Sequence, residues 1–475
     1  MGDGRLLLGG EPPRIVRLSE SGSKALDGAL SEGGLAAADS SQQRLLARLS
    51  TAGLIQPRPA PLALLPELTV VIPVRQPASS LEGLLATLSS AGAGSVVVVD
   101  DGSEDGGAGS SAVARRHGAT ALHRPLSGGP AAARNSAEVE TEFVVYLDAD
   151  TVLEEAEPLG WLSVCLSQFS DPRTALVAPR IRSVPGSDAV ARYEASSSPL
   201  DLGERPGLVG SFRRLSYVPA TALVARARAL KEIGGFDQSL RFGEDVDLVR
   251  RLEAAGWRVR YEPAATVMHR PRSNLRSLAR QRFGYGTAAA ELDRRHDGTV
   301  PPFAASPSAS LAATAALGAA CGLLLGRRAP ALRGLGLFGA TRAVSTVRLG
   351  RKLAAAGFEA PCKLADELVE SSARSAAGAL LRAVRRCWWP FVLPFLATRR
   401  ARPAAGSLLL ASALSRFAPG SWPRRSPIGF LETLAIGLVD DLSYTSGVLA
   451  GCWRVGSLRV LLPRLVRSRP TARSG

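Results

Sequence analysis

From Leu68 onward the chain alternates short apolar runs with amphipathic stretches. Leu68 to Val74 (LTVVIPV), Ser95 to Asp100, Ala119 to Leu122 and Glu142 to Leu147 each read as a strand, and helical spacing fills Ser79 to Leu88 and Gly129 to Val139. Such β-α alternation predicts an α/β fold with a mostly parallel sheet, whose ligands lie beyond the carboxyl ends of the strands. After about residue 300 the pattern becomes Ala/Leu/Gly-rich helix broken by Arg clusters. Its longest uncharged run, Ser308 to Gly326, has 19 residues, enough for a ~30 Å crossing, but seven Ala and three Gly against five Leu leave insertion marginal. Before Leu68 come two strand signals (Arg5 to Leu8, Arg14 to Leu18), helical spacing around Lys24 to Leu30 and Gln42 to Ala52, and a proline boundary at Pro57, Pro59, Pro61 and Pro66. The expected organisation is a small module at 1–56, an α/β domain at 66–300 and a helical, basic region at 301–475.

At 475 residues the chain is no disulfide miniprotein, and five scattered cysteines without a CxxC pair support neither a disulfide framework nor a zinc ribbon. A net charge of +16 changes the picture only when divided: residues 301–475 carry +17 and the first 300 carry −1. With only four lysines and 5% aromatics, that charge is poor equipment for nucleic acid, so no nucleic-acid partner is expected and an anionic membrane surface is. The tail from Arg454 to Gly475 holds six Arg and no acid, which suits an amphipathic helix on anionic lipid; a solvated, disordered end is the equally open alternative. No signal peptide is visible at the start, so the expected location is the cytoplasmic face of the cell membrane.

Chemistry concentrates where strands end. Asp100-Asp101-Gly102-Ser103 closes an all-valine run with two carboxylates that can accept from a nucleoside ring or ribose; an ordinary turn is the equally open alternative. Asp148-Ala149-Asp150 follows the next run, and its spacing suits a divalent cation able to neutralise a diphosphate. Between them, Ser127-Gly128-Gly129 leads into a helix with Arg134 one turn in; it lacks a GK[ST] ending, which disfavours a P-loop NTPase. Farther on, Glu244-Asp245-Val246-Asp247 offers carboxylates at a helix start, as plain caps or as a general base.

As a set, "TVVIPV", "VVVVDDGSEDG", "SGGPAAARNSA", "YLDADTVL" and "GGFDQSLRFGEDVDLVRRL" over residues 69–252 resemble the family 2 inverting glycosyltransferases of the GT-A fold, a Rossmann-like mixed sheet. That resemblance implies a nucleotide-sugar donor, Mg or Mn, and single displacement. It casts Asp101 and Arg134 as nucleotide contacts, Pro73 and Asp100 as the base pocket, Asp148 and Asp150 as the metal and ribose site, and Asp245 as catalytic base. His269 falls where the family often places a diphosphate or metal contact, and Glu244, Arg280 and Arg282 where acceptor or phosphate is met. Arg280-Gln281-Arg282-Phe283 departs from the QxxRW motif of processive synthases at Ala279 and Phe283. Over its whole length the chain resembles the mycofactocin-system glycosyltransferases, which implies UDP-glucose as donor and a peptide-derived redox cofactor, premycofactocin, as acceptor. Residues 1–56 resemble a winged-helix-like, PqqD-type peptide module through "LLGG…PPRIVRLSESG". The alternatives are a membrane polysaccharide synthase or lipid-linked sugar transferase, and an inactive nucleotide-sugar-binding protein. The residues alone leave the sugar, its linkage and the number added open.

Overall fold

The computed structural model describes residues 5–11, 13–31, 40–76, 79–211, 213–298, 301–417 and 429–466. The chain forms two compact units: Gln56–Ala288 with Ser426–Ile436, and Met1–Ile55 with Ala289–Arg425 and Gly437–Gly475. We call them the sheet unit and the helical unit.

The N-terminal segment begins with an antiparallel hairpin, β1 (Leu6–Gly9) and β2 (Arg14–Arg17), followed by α1 (Glu20–Leu30) and α2 (Ser40–Thr51). Ser19 caps α1 by accepting from the Gly22 amide at 3.1 Å. Leu18, Leu26, Leu46 and Leu49 then close a small core of their own.

The sheet unit carries β3 (Leu68–Val74), β4 (Ser95–Asp101), β5 (Thr120–Arg124), β6 (Phe143–Leu147), β7 (Thr151–Val152), β8 (Thr174–Ser183), β9 (Gly207–Val209), β10 (Ala222–Arg226) and β11 (Arg258–His269). They join in the order β5-β4-β3-β6-β10-β8-β11-β7, with β9 paired to β11. The half from β5 to β6 is parallel, whereas β10 runs antiparallel to both β6 and β8, so the sheet is mixed. Helices α3 (Ser79–Ser90), α4 (Ala108–Arg116), α5 (Pro130–Asn135), α6 (Gly160–Ser167), α7 (Ala189–Ser197), α8 (Ala227–Glu232) and α9 (Glu244–Ala254) lie between the strands in sequence. Strand alternation sorts the core into two layers. Val70, Ile72, Val98, Val145 and Leu147 pack with Leu81, Leu85 and Leu162 on one face. Val71, Val99, Val144 and Tyr146 pack with Ala131, Leu248 and Leu252 on the other. Each such fully buried aliphatic contributes roughly 1.5–3 kcal/mol, which is why a strand as valine-rich as β4 sits inside the sheet. Chain order reverses between β4 and β6 on either side of β3, so the carboxyl ends of these strands open a crevice.

After α10 (Leu275–Arg295) and the two-residue strand β12 (Ala304–Ala305) come α11 (Pro307–Leu324), α12 (Arg328–Ala356), α13 (Pro361–Ala383), the short α14 (Trp389–Val392), α15 (Arg402–Leu414) and α16 (Phe430–Val455). Helices α11 and α12 approach until small residues touch backbone: a Cβ on Gly334 would lie 2.7 Å from the Ala319 nitrogen. Among the described residues α11 is the one helix long and apolar enough to cross a membrane, at 18 residues and mean hydropathy 1.4, and a third of it is buried. The described part of the basic tail is not helical as its composition led us to expect. Gly456, at φ +70°, ends α16, Arg459–Leu461 forms a single 3-10 turn, and past Pro463 the chain pairs β13 (Arg464–Leu465) with β12. Residues 467–475 lie outside the described residues.

Candidate functional site

Alternation gives the tandem acids at the end of β4 different tasks. Asp100 follows the parity of Val98 and turns to the face of α4, where it accepts from the Ser103 amide (3.0 Å), the Ser103 hydroxyl (2.5 Å) and the Ser110 hydroxyl (2.6 Å), and meets His123 Nδ1 (3.0 Å). Asp101 turns the other way and accepts from Arg124 Nε (2.9 Å), Ser127 Oγ (2.9 Å), Gly128 N (3.0 Å) and Gly129 N (2.7 Å). Burial opposes ionisation of both, but these donors outweigh it and hold both carboxyls below the usual range. The Gly-rich turn therefore directs two of its amides at the protein's own carboxylate. Gly102 permits this closeness, since a Cβ there would lie 2.6 Å from the Ser127 nitrogen. Pro73, half-buried on β3, pairs in register with Val99 of the same strand end.

Arg134, on α5, is the hub of the crevice. Its side chain is 3% exposed and donates to Asp148 Oδ1 (2.7 Å), Glu244 Oε1 (3.1 Å) and the Ala220 carbonyl (3.3 Å), with Phe236 beneath it at 5.4 Å. Desolvation works against its charge, but the two carboxylates outweigh it and raise its pKa further. One guanidinium thus fixes the acid that follows β6 to the acid that begins α9, itself 110 residues from Arg134 in sequence.

Asp150 lies one residue beyond Ala149 and meets His269 Nε2 at 3.2 Å. The contact follows from pairing: β7 sets Thr151 opposite His269 at the end of β11. Burial opposes the charge on each, yet the pair wins, lowering the Asp150 pKa and raising that of His269. Among the described residues no three His, Cys, Asp or Glu are gathered as a ready metal cluster. Asp148 and Asp150 each keep 30% of the side chain accessible, so their oxygens can be reached by a cation arriving with a diphosphate.

Asp245 is half-buried in the first turn of α9 and accepts from the Val246 amide at 2.8 Å. Desolvation, then the Glu244 charge, push its pKa up to about 7. Asp247, in the same turn, is buried and bonded to Arg251 Nε at 2.7 Å. The structure thereby separates two acids that the sequence offered side by side.

Arg280 stands on the exposed side of α10, whereas Arg282 is 1% exposed and donates to Glu194 Oε1 (2.5 Å) and Gln281 Oε1 (2.7 Å). Glu194 of α7 also accepts from the Arg272 amide at 3.1 Å. The arginine is thereby bound to protein on both sides. Sequence reasoning did not find Glu194, nor Arg124, and neither stands in a motif that marks it. Nor did it find the contact between Phe242 and α10: a Cβ on Gly284 would lie 2.4 Å from the Phe242 ring, which also meets Tyr285 edge to face at 6.2 Å. Phe242 is 37% exposed and precedes Asp245 by three residues.

Residues 66–285 match the family described as "Glycosyltransferase like family 2". The chain is 38% identical to the pre-mycofactocin glycosyltransferase of Mycobacterium tuberculosis, over 98% of its own length and 95% of that protein. It is 37% identical to the succinoglycan biosynthesis protein ExoA of Rhizobium meliloti over 15% of this chain and 22% of that one. A solved structure of glucosyl-3-phosphoglycerate synthase from Mycobacterium tuberculosis, in complex with Mn2+, UDP and glucosyl-3-phosphoglycerate, is similar at a TM-score of 0.32 and 20% identity, covering 49% of this chain and 80% of that one.

Proposed function

The chain belongs to the family 2 glycosyltransferases, and on that premise we propose that it transfers glucose from UDP-glucose to pre-mycofactocin, a peptide-derived cofactor precursor, with inversion at the sugar carbon. The observation that carries this reading is the likeness to the pre-mycofactocin enzyme over 98% of the chain, not over the sheet unit alone.

In the proposed reaction the acceptor hydroxyl attacks the anomeric carbon as its bond to the diphosphate oxygen breaks, and the electron pair leaves with UDP. Asp245 takes the hydroxyl proton; a carboxyl with a pKa near 7 is a base matched to neutral pH. Asp148, Asp150 and His269 would hold Mg or Mn, the two carboxylates as hard oxygen ligands with the His269 imidazole beside Asp150. A divalent cation held there would screen the charge developing on the departing diphosphate. Arg134 keeps Asp148 and Glu244 in place, so donor side and base side share one anchor. Asp100, Asp101 and Pro73 shape the nucleotide side by ordering the loops around it. The hairpin-helix-helix order of residues 5–55 supports reading that segment as a small winged-helix-like module. The helical unit works at the cytoplasmic face of the membrane, a reading supported by the +17 charge of residues 301–475.

The test is mass spectrometry of pre-mycofactocin after incubation with the protein, UDP-glucose and Mn2+. Hexosylated product with release of UDP is expected. Hydrolysis of UDP-glucose without product would reject the acceptor, and absence of both would reject the donor.

A further inference from the structure

Resting on the membrane reading above, we infer that the helical unit seats on an anionic lipid bilayer through a specific wedge: Phe391, Leu393 and Phe395, joined by Leu323 and Leu324 at the end of α11 and collared by arginines. The wedge begins after a π-helical turn, Val384–Trp388. There the two indoles face inward with their N-H groups satisfied, Trp388 Nε1 donating to the Leu461 carbonyl (2.7 Å) and Trp389 Nε1 to Thr445 Oγ1 (2.8 Å). Pro390 and Pro394 then keep the next turns short, α14 and a 3-10 turn at Leu393–Leu396. With both tryptophans fixed inward, the smaller apolar side chains are left outside: Phe391 is 50%, Leu393 43% and Phe395 55% exposed.

A second, sequence-distant segment reaches the same place. Cys321 Sγ lies 3.9 Å from the Ala404 carbonyl, which puts the end of α11 beside the start of α15. Two residues beyond Cys321, Leu323 and Leu324 are 63% and 77% exposed, and exposed Arg327 and Arg328 follow. On the other segment Arg399, Arg400 and Arg402 are exposed, and Arg402 Nε donates to the Leu396 carbonyl at 2.7 Å, tying the collar to the wedge. Five large apolar side chains and five arginines are therefore exposed on two segments that meet where α11 ends beside the start of α15.

Charge selects the occupant. No Asp or Glu occurs between residues 298 and 358 or between 371 and 431, so both segments are purely cationic around their apolar tips. That combination suits the boundary of a bilayer, where aromatic and leucine side chains enter the acyl region while arginines stay among anionic headgroups. An apolar protein partner would bury the tips but gain nothing from a uniform arginine ring.

The experiment is co-sedimentation of the full chain with vesicles of phosphatidylcholine alone or mixed equally with phosphatidylglycerol, at low and high salt. The wild type should partition onto the anionic vesicles in a salt-sensitive way. Phe391→Ser with Phe395→Ser should lower that partition at least about tenfold, and Arg399→Gln with Arg400→Gln by about fivefold per charge. Circular dichroism and transfer activity in detergent-free solution should be unchanged, since all four positions are exposed and belong to the helical unit, whereas the crevice is built from residues of the sheet unit. Equal binding of wild type and both double variants would overturn the wedge while leaving the membrane reading standing, and no vesicle binding by the wild type would overturn both. A wedge variant that instead converts a stable dimer to monomer would show that the surface joins two copies of the chain.

Discussion

The crevice of the sheet unit and the core of the helical unit hold charge in opposite manners. Around the crevice the acids sit at strand and helix ends and stay partly open: Asp148 and Asp150 at 30% of the side chain, Asp245 half-buried. In the helical unit Asp440 and Asp441 lie mid-helix at 3% exposed, ringed by Arg385, Arg386 and Arg416, with Arg386 stacked 4.2 Å over Tyr444. Outside, the same unit displays Leu332, Val344, Val347, Leu410 and Trp453. Carboxylates at the rim of a crevice can change partners; carboxylates enclosed by three arginines cannot. The difference teaches that exposure at an element's end, more than the presence of an ion pair, separates a chemical site from a structural one.

The comparison is broken most severely by attacking the rim. Stripping divalent cations with EDTA, or Asp150→Ala, should abolish transfer with the fold retained, and Mn2+ should restore the wild type but not the variant; full turnover in EDTA would reject the metal-dependent reading. Asp245→Asn should lower turnover by about 10²–10⁴-fold with UDP affinity kept, while Asp247→Asn, which weakens the bond to Arg251, should act mainly on stability. If the two variants exchange behaviours, the base is misassigned. In the helical unit, Asp441→Asn leaves three arginines short of a partner and should cost about 3–5 kcal/mol of stability with UDP affinity unaltered, read by denaturant unfolding and calorimetric titration.

Acidity sharpens the contrast. With the Asp245 pKa near 7, turnover should fall about tenfold per unit below that pH as the base is protonated. Stability runs the other way: a carboxyl whose pKa rises on folding contributes fully below the ordinary carboxylate range and loses that contribution as pH rises through 7. Asp245→Asn should therefore raise the melting temperature at pH 8 and not at pH 4. The smallest effect is expected at Gly284: Gly284→Ala forces the Phe242 ring, three residues before the proposed base, to move and should raise the acceptor KM several-fold with donor KM unchanged.

Much of this was readable before any coordinates, because the apolar runs end where the acids stand. Val96 to Val99 and Phe143 to Leu147 mark buried strands, and the acids that follow fall at the crevice by topology alone. Even the split between Asp100 and Asp101 is implied by strand parity. What periodicity could not supply was the partner at each end. Arg282 looks like a motif arginine, yet it is held by Glu194, 88 residues away, a pairing that only the packing of α10 against α7 creates. The described part of the tail, residues 454–466, departs from the expected helix for a nearer reason: its arginine spacing suits a helix, but Gly456 and Pro463 are local breakers that outrank charge pattern.

Asp101 gives the Gly-rich turn its own resident anion. In nucleotide loops a phosphate commonly gathers backbone amides and shapes the turn around itself; here the carboxylate already occupies the amides of Gly128 and Gly129. The turn consequently keeps its shape whether or not a substrate is near, and the conformational entropy of ordering it is lost once, during folding, instead of at every catalytic cycle. Phosphate or sulfate in the buffer finds no vacant amides at these two positions, so such ions have no foothold there from which to compete with a nucleotide.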